Sequence, residues 1–267
     1  MRKVFAQTLA DLAAQDERIV LLTGDLGYMA LEPFADRFPK RFFNVGVAEQ
    51  NMVGMATGMA EAGLMPWVYS IVPFAVLRPF EFIRNGPVQH CLPVRIVGVG
   101  GGVEYSQNGL SHYGLEDIGV LRTQPNLTIV APSDNAQARN AILKTWDLPG
   151  PIYYRLGKDE KLSVPELEGQ FELGHCQRIG QGQDLLFVTT GNITIEAVSA
   201  MQHLAEHGIK ASVAVVPTFN PSPCDDLAQI LSEFNLAISV EAHYINGGLG
   251  SLVAEVIAER GLSCRLV

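Results

Sequence analysis

Short apolar, β-branched runs alternate along this chain with longer segments in which apolar residues recur at helical spacing. That alternation predicts an α/β fold, in which helices cover both faces of mostly parallel sheets. The N-terminus reads as an amphipathic helix with Val4, Phe5, Leu9 and Leu12 on one side. A strand at 18–23 ends in the polar turn Gly24-Asp25, and a short strand at 42–45 leads into a helix at 49–62. A third strand, 67–70, precedes a helix expected over about 73–88. The apolar strand 94–99 runs into Gly100-Gly101-Gly102. Strands at 127–130 and 152–155 bracket a helix that opens at the cap signal Ser133-Asp134.

The pattern lapses over 158–172, which is charged, contains Pro165 and Gly169 and shows no period, so it reads as a linker between domains 1–157 and 173–267. Beyond it a second αβ series begins, with strands at 184–190, 211–216 and 236–240 and helices at 193–207 and 250–260. Pro217, Pro221 and Pro223 punctuate the connection after its second strand.

Composition narrows the function classes. The 267 residues are 48% hydrophobic and 18% charged, the balance of a folded chain with sizeable cores. With 19 Lys plus Arg against 28 Asp plus Glu, the net charge is −9, which argues against nucleic acid as a partner. The N-terminus lacks the apolar core of a signal peptide, and no uncharged run is long enough to span a bilayer. Cys91, Cys176, Cys224 and Cys264 show no zinc-ligand spacing and read as buried free thiols of a reducing cytoplasm.

Between Phe42 and Ala60 the only charged residue is Glu49. A carboxyl among Val, Ala, Met and Gly is desolvated, which favours its neutral form and suits proton transfer. The local alternative is a carboxylate capping or tethering the buried helix start. Gly54 and Gly58 lie one turn apart on the same helix, a spacing that admits a close neighbour, either another subunit's helix or a crowded core within the domain.

The run from Asn44 through Val45, Gly46, Val47, Ala48, Glu49, Gln50, Asn51 and Met52 resembles the pyrimidine-binding segment of transketolases, which use thiamine diphosphate and Mg²⁺. The resemblance implies that Glu49 bonds the aminopyrimidine ring and activates the cofactor. The segment Tyr69–Asn85 is similar to the family's next strand–helix junction, which implies that Phe74 covers one ring face, with Ile71 beside it. The loop from Gly100 to Asp117 resembles the family's Asp-Gly-x-Thr-His loop, with Asn108 for Asp and Ser111 for Thr. By that resemblance His112 and Asn108 contact the substrate, and His112 shuttles a proton. Arg155 and Arg2 match arginines that clamp a distal anion, and Asp25 is expected near the cofactor. Met29 and Gly100 stand where the family has a serine and a histidine, which implies an altered terminal group on the substrate.

Residues Glu241–Ser251 are similar to the family's C-terminal domain, and the glycine-rich helix start there is a conceivable phosphate site. The family's Gly-Asp-Gly…Asn motif, which holds the diphosphate and metal, is missing. This chain therefore supplies no metal ligand and resembles the C-terminal subunit of a split transketolase. The implied partner is an N-terminal subunit carrying that motif, in an α2β2 heterotetramer. The expected reaction is transfer of a two-carbon ketol unit from a ketose to an aldose. The alternatives are a deoxyxylulose-phosphate-synthase-like condensation of a 2-oxoacid with an aldehyde, and a non-catalytic scaffold subunit.

Overall fold

The computed structural model describes residues 1–267 and places two sheets side by side in the chain. The first αβ series is built from α1 (Arg2–Ala13), β1 (Ile19–Thr23), α2 (Glu32–Ala35), β2 (Phe42–Asn44), α3 (Glu49–Glu61) and β3 (Met65–Ile71). It continues through α4 (Val72–Val76), α5 (Phe80–Ile83), β4 (Arg95–Val99), α6 (Asp117–Leu121), β5 (Thr128–Val130), α7 (Asn135–Thr145) and β6 (Ile152–Leu156). The second series comprises β7 (Gln177–Ile179), β8 (Leu185–Thr189), α8 (Thr194–Glu206), β9 (Ala211–Val215), β10 (Thr218–Asn220), α9 (Cys224–Leu231), β11 (Leu236–Val240), α10 (Leu249–Arg260) and β12 (Arg265–Leu266).

The first sheet runs β10-β5-β6-β4-β3-β1-β2 and the second β12-β11-β8-β9-β7. Every pairing among β1–β6 is parallel, and the inner strands β1, β3, β4 and β6 are buried on both faces and read as near-continuous apolar runs. Phe5, Trp67, Tyr69 and Tyr154 stack between α1 and the sheet, with centroid separations of 5.4–5.8 Å. Arg95, fully buried at the start of β4, donates to the carbonyls of Trp146, Leu148 and Gly150, closing the edge opposite the candidate site.

Two elements depart from the sequence expectation. The helix foreseen over 73–88 is broken into α4, α5 and a wider turn over Arg84–Val88. Pro79 and Pro87 lack the N–H that a continuous helix needs, and each ring crowds the preceding turn. The proline-punctuated stretch after β9 holds β10, which leaves its own domain and pairs antiparallel with β5 of the first sheet. Its role as the first sheet's edge was not visible in local pattern.

The linker is an ordered strap. Asp134 caps α7 by accepting from Gln137 N at 2.8 Å, and its second oxygen accepts from Val164 N at 2.9 Å. Val164, Leu167 and Phe171 are buried, and Asn140 and Lys144 donate to the carbonyls of Gly169 and Phe171. No helix is long and apolar enough to cross a membrane.

Candidate active site at the carboxyl edge of the first sheet

The C-terminal ends of β1, β3, β4 and β6 lie in register at one edge of the first sheet. Glu49 occupies the first position of α3 at this edge and is 1% exposed. Its side chain makes no cap hydrogen bond to its own helix, although it lies in the first turn. Oε1 accepts from Ser70 Oγ at 3.1 Å, and Oε2 accepts from Arg78 Nη1 at 2.5 Å. Gly24, at the end of β1, packs so closely that a Cβ there would stand 3.3 Å from Oε1. A carboxylate this dry is costly without partners, and Arg78 and Ser70 offset that cost.

Arg78 follows α4 and is 38% exposed along its side chain. Its guanidinium lies 4.2 Å from the centroid of the Phe74 ring while it donates to Glu49. The other side of the constellation continues from Phe74 to His112, whose ring stands edge-on at 5.0 Å and 73°. His112 Nδ1 is 3.0 Å from Ser111 Oγ, and the Tyr105 ring lies 6.5 Å from the imidazole. Lys158 Nζ rests 4.4 Å above Tyr105. Gly100 makes room for that tyrosine, because a Cβ at Gly100 would lie 2.2 Å from the ring.

Residues 1–161 match the transketolase pyrimidine binding domain, and residues 174–266 match the transketolase C-terminal domain. The chain belongs to the transketolase family. A protein of Methanocaldococcus jannaschii, provisionally named a transketolase C-terminal section, is 38% identical over all of this chain and 84% of its own length. One of the subunits of the apulose-4-phosphate transketolase of Phocaeicola vulgatus is 35% identical, covering 100% of this chain and 86% of that protein. A solved split-gene transketolase, described as an inactive beta4 tetramer, superposes with a TM-score of 0.90 at 33% identity, over 100% of this chain and 87% of that one.

Of the residues singled out in this transketolase chain, Glu49, Phe74 and His112 come together, with Ile71 half-buried at the end of β3 on the same edge. Asp25 is exposed in a left-handed backbone conformation (φ 58°), and its Oδ1 accepts from Asn44 Nδ2 at 2.9 Å. Asn108 is exposed at the end of the short turn Ser106–Asn108.

The two arginines expected to clamp a distal anion are already engaged. Arg2 pairs with Glu160 of the strap at 3.0 Å. Arg155 is buried; its Nε donates to Asp117 Oδ2 at 2.8 Å, and Nη2 donates to the carbonyls of Gly114 and Ala242 at 2.8 Å each. This guanidinium lies at the end of a central strand, packed against Gly101 and bonded to the second domain through the Ala242 carbonyl. Burial pushes the Arg155 guanidinium down, but Asp117, Tyr153 and Glu104 more than offset it and hold it above its ordinary value. Burial also raises the Glu104 carboxyl, although it accepts from the Lys158 backbone N–H at 2.9 Å.

The glycine-rich start of α10 is closed to a phosphate. Glu241 accepts from the backbone N–H groups of Leu249 and Gly250 at 2.6 and 2.8 Å, so an anion from within the chain already occupies the helix N-terminus. His243 joins the domains: Nδ1 donates to Tyr244 O at 2.7 Å, and Nε2 accepts from Gly119 N at 3.2 Å. Gly54 and Gly58 are exposed, which rules out the crowded intradomain core. Sequence reasoning missed Arg78, Ser70, Tyr105 and Lys158. Only Arg78 had a local signal, a lone cation four residues after Phe74 where one helical turn brings side chains together.

Proposed function

We propose that this chain is the C-terminal subunit of a split transketolase, which transfers a two-carbon ketol unit from a ketose to an aldose with thiamine diphosphate. The observation that carries the reading is the Glu49–Arg78–Phe74 stack. A flat group with N–H donors lies on Phe74 and bonds a buried carboxylate. An aminopyrimidine has the same features, so Glu49 and Phe74 fit the cofactor ring, and Arg78 stands in for it.

When bound, thiamine diphosphate supplies the carbon nucleophile that cleaves and remakes the bond next to the ketose carbonyl. Glu49 then holds or gives a proton at Oε2, in a pocket kept dry by α3, Gly24 and Ser70. Arg78, a third exposed and on a flexible stem, swings out to release that oxygen. Phe74 orients the ring by stacking. His112 presents Nε2, which has no partner in the chain, to the substrate oxygen and moves its proton, with Ser111 holding Nδ1. Asn108 contacts the donor beside it.

Among the cations near His112, Lys158 has no carboxylate partner within 4.0 Å. We assign it, in place of Arg155, to the anionic end of the substrate. The relative named for a 4-phosphate sugar supports such an anion. The diphosphate and Mg²⁺ ligands come from an N-terminal partner subunit, in a cytoplasmic α2β2 assembly, so this chain alone is inactive.

The test is reconstitution with an N-terminal subunit carrying Gly-Asp-Gly…Asn, followed by ketol transfer. Glu49→Gln should lower kcat by about 10²–10⁴-fold. An unchanged rate would point to a scaffold, and release of CO₂ from pyruvate would point to 2-oxoacid condensation.

A further inference from the structure

Helix α8, in the second domain, ends in His203-Leu204-Ala205-Glu206, with His207 as its C-cap. His203 and His207 are one turn apart and share a face, with ring centroids 4.8 Å apart. Glu206 Oε2 lies 3.2 Å from His203 Nδ1, and all three side chains are exposed. One ligand atom from each residue can be chosen so that all three lie within 4.8 Å of one another. We infer that this turn binds a divalent transition ion of the zinc, cobalt or nickel class.

One hydrogen bond already favours ligation, and the other, from His203 Nδ1 to the carboxylate of Glu206, leaves Nε2 as the ligand atom of His203. His207 Nδ1 lies 3.0 Å from the backbone carbonyl of His203, which can only accept, so Nδ1 carries the proton and Nε2 presents its lone pair. Two imidazoles and one carboxylate form the donor set of borderline ions, whereas Mg²⁺ and Ca²⁺ prefer oxygen alone. Donors that share a zinc ion at about 2.0–2.1 Å stand roughly 3.4 Å apart. Exposed side chains reach that spacing by rotamer changes alone. The last turn of a helix also favours a cation through its free carbonyls. Three ligands from one chain leave the remaining positions of the ion to water or to a donor from another molecule.

The inference does not depend on the proposed reaction. The full-length chain, free of any affinity tag, is titrated with Co²⁺ and Zn²⁺ in the presence of excess Mg²⁺. One equivalent should bind per chain, Co²⁺ should give a visible d–d spectrum, and Zn²⁺ should raise the thermal midpoint. E206Q should weaken binding by about 10–100-fold, and H203Q/H207Q should abolish both the spectrum and the thermal shift. These residues are on the surface, so helical circular dichroism should be unchanged in the variants. Wild-type chain that binds no Co²⁺, or a double variant that binds as wild type does, overturns the assignment.

Discussion

Removing Arg78 should destabilise the first domain more than neutralising Glu49 does, although Glu49 is the more buried of the two. Arg78→Ala leaves a carboxylate that is 1% exposed with only the Ser70 hydroxyl, at 3.1 Å, to support its charge. Breaking a fully buried ion pair from one side costs about 3–5 kcal/mol. Arg78 is more than a third exposed, so solvent already screens part of the pair and the figure falls to about 2–3 kcal/mol. Glu49→Gln removes the charge and keeps the shape, while the released arginine reaches water, so the expected cost is about 0.5–1 kcal/mol. The double variant has no stranded charge and should lie well below the sum of the two single effects, with a coupling of about 1–2 kcal/mol. Both tryptophans, Trp67 and Trp146, are in the first domain, so their fluorescence during urea unfolding reports on it. Midpoints should shift at constant m-value. If Arg78→Ala costs no more than Glu49→Gln, or the two effects add, the carboxylate is solvated and the reasoning fails.

Three further outcomes are expected. Lys158→Gln in the reconstituted enzyme should lower kcat/KM for an anionic aldose by about tenfold or more, with little change for an uncharged one, as expected for loss of a charged hydrogen bond of about 1.5–3 kcal/mol; comparing the two substrates checks it. Asp117→Asn should destabilise the chain by about 3–5 kcal/mol, because Arg155, with its side chain 3% exposed, loses the one carboxylate it is directly paired with; calorimetry reads it as a fall in the thermal midpoint. Asp134→Ala removes both a helix cap and the tether to Val164, so it should cost about 1–2 kcal/mol and make 158–172 the first site of limited proteolysis.

The alternation of apolar runs and helical spacing specified the parallel strands by itself, because strands buried on both faces must be apolar throughout, as 94–99 largely is. The burial of Glu49 was legible for the same reason: it is a single acid in a run that must be buried. The motif around it also carried the family. Pro79 and Pro87 were legible in principle, since the backbone chemistry that splits the expected helix is local. What lies across the fold was not legible. Glu49 meets Arg78 across 29 positions, Arg155 meets Ala242 across 87, and β10 reaches β5 from another domain. Whether a cation is offered to a ligand or spent inside the protein depends on which oxygens the chain folds against it. Arg155 and Lys158 sit three residues apart; tertiary packing alone buried the first against Asp117 and left the second resting on Tyr105.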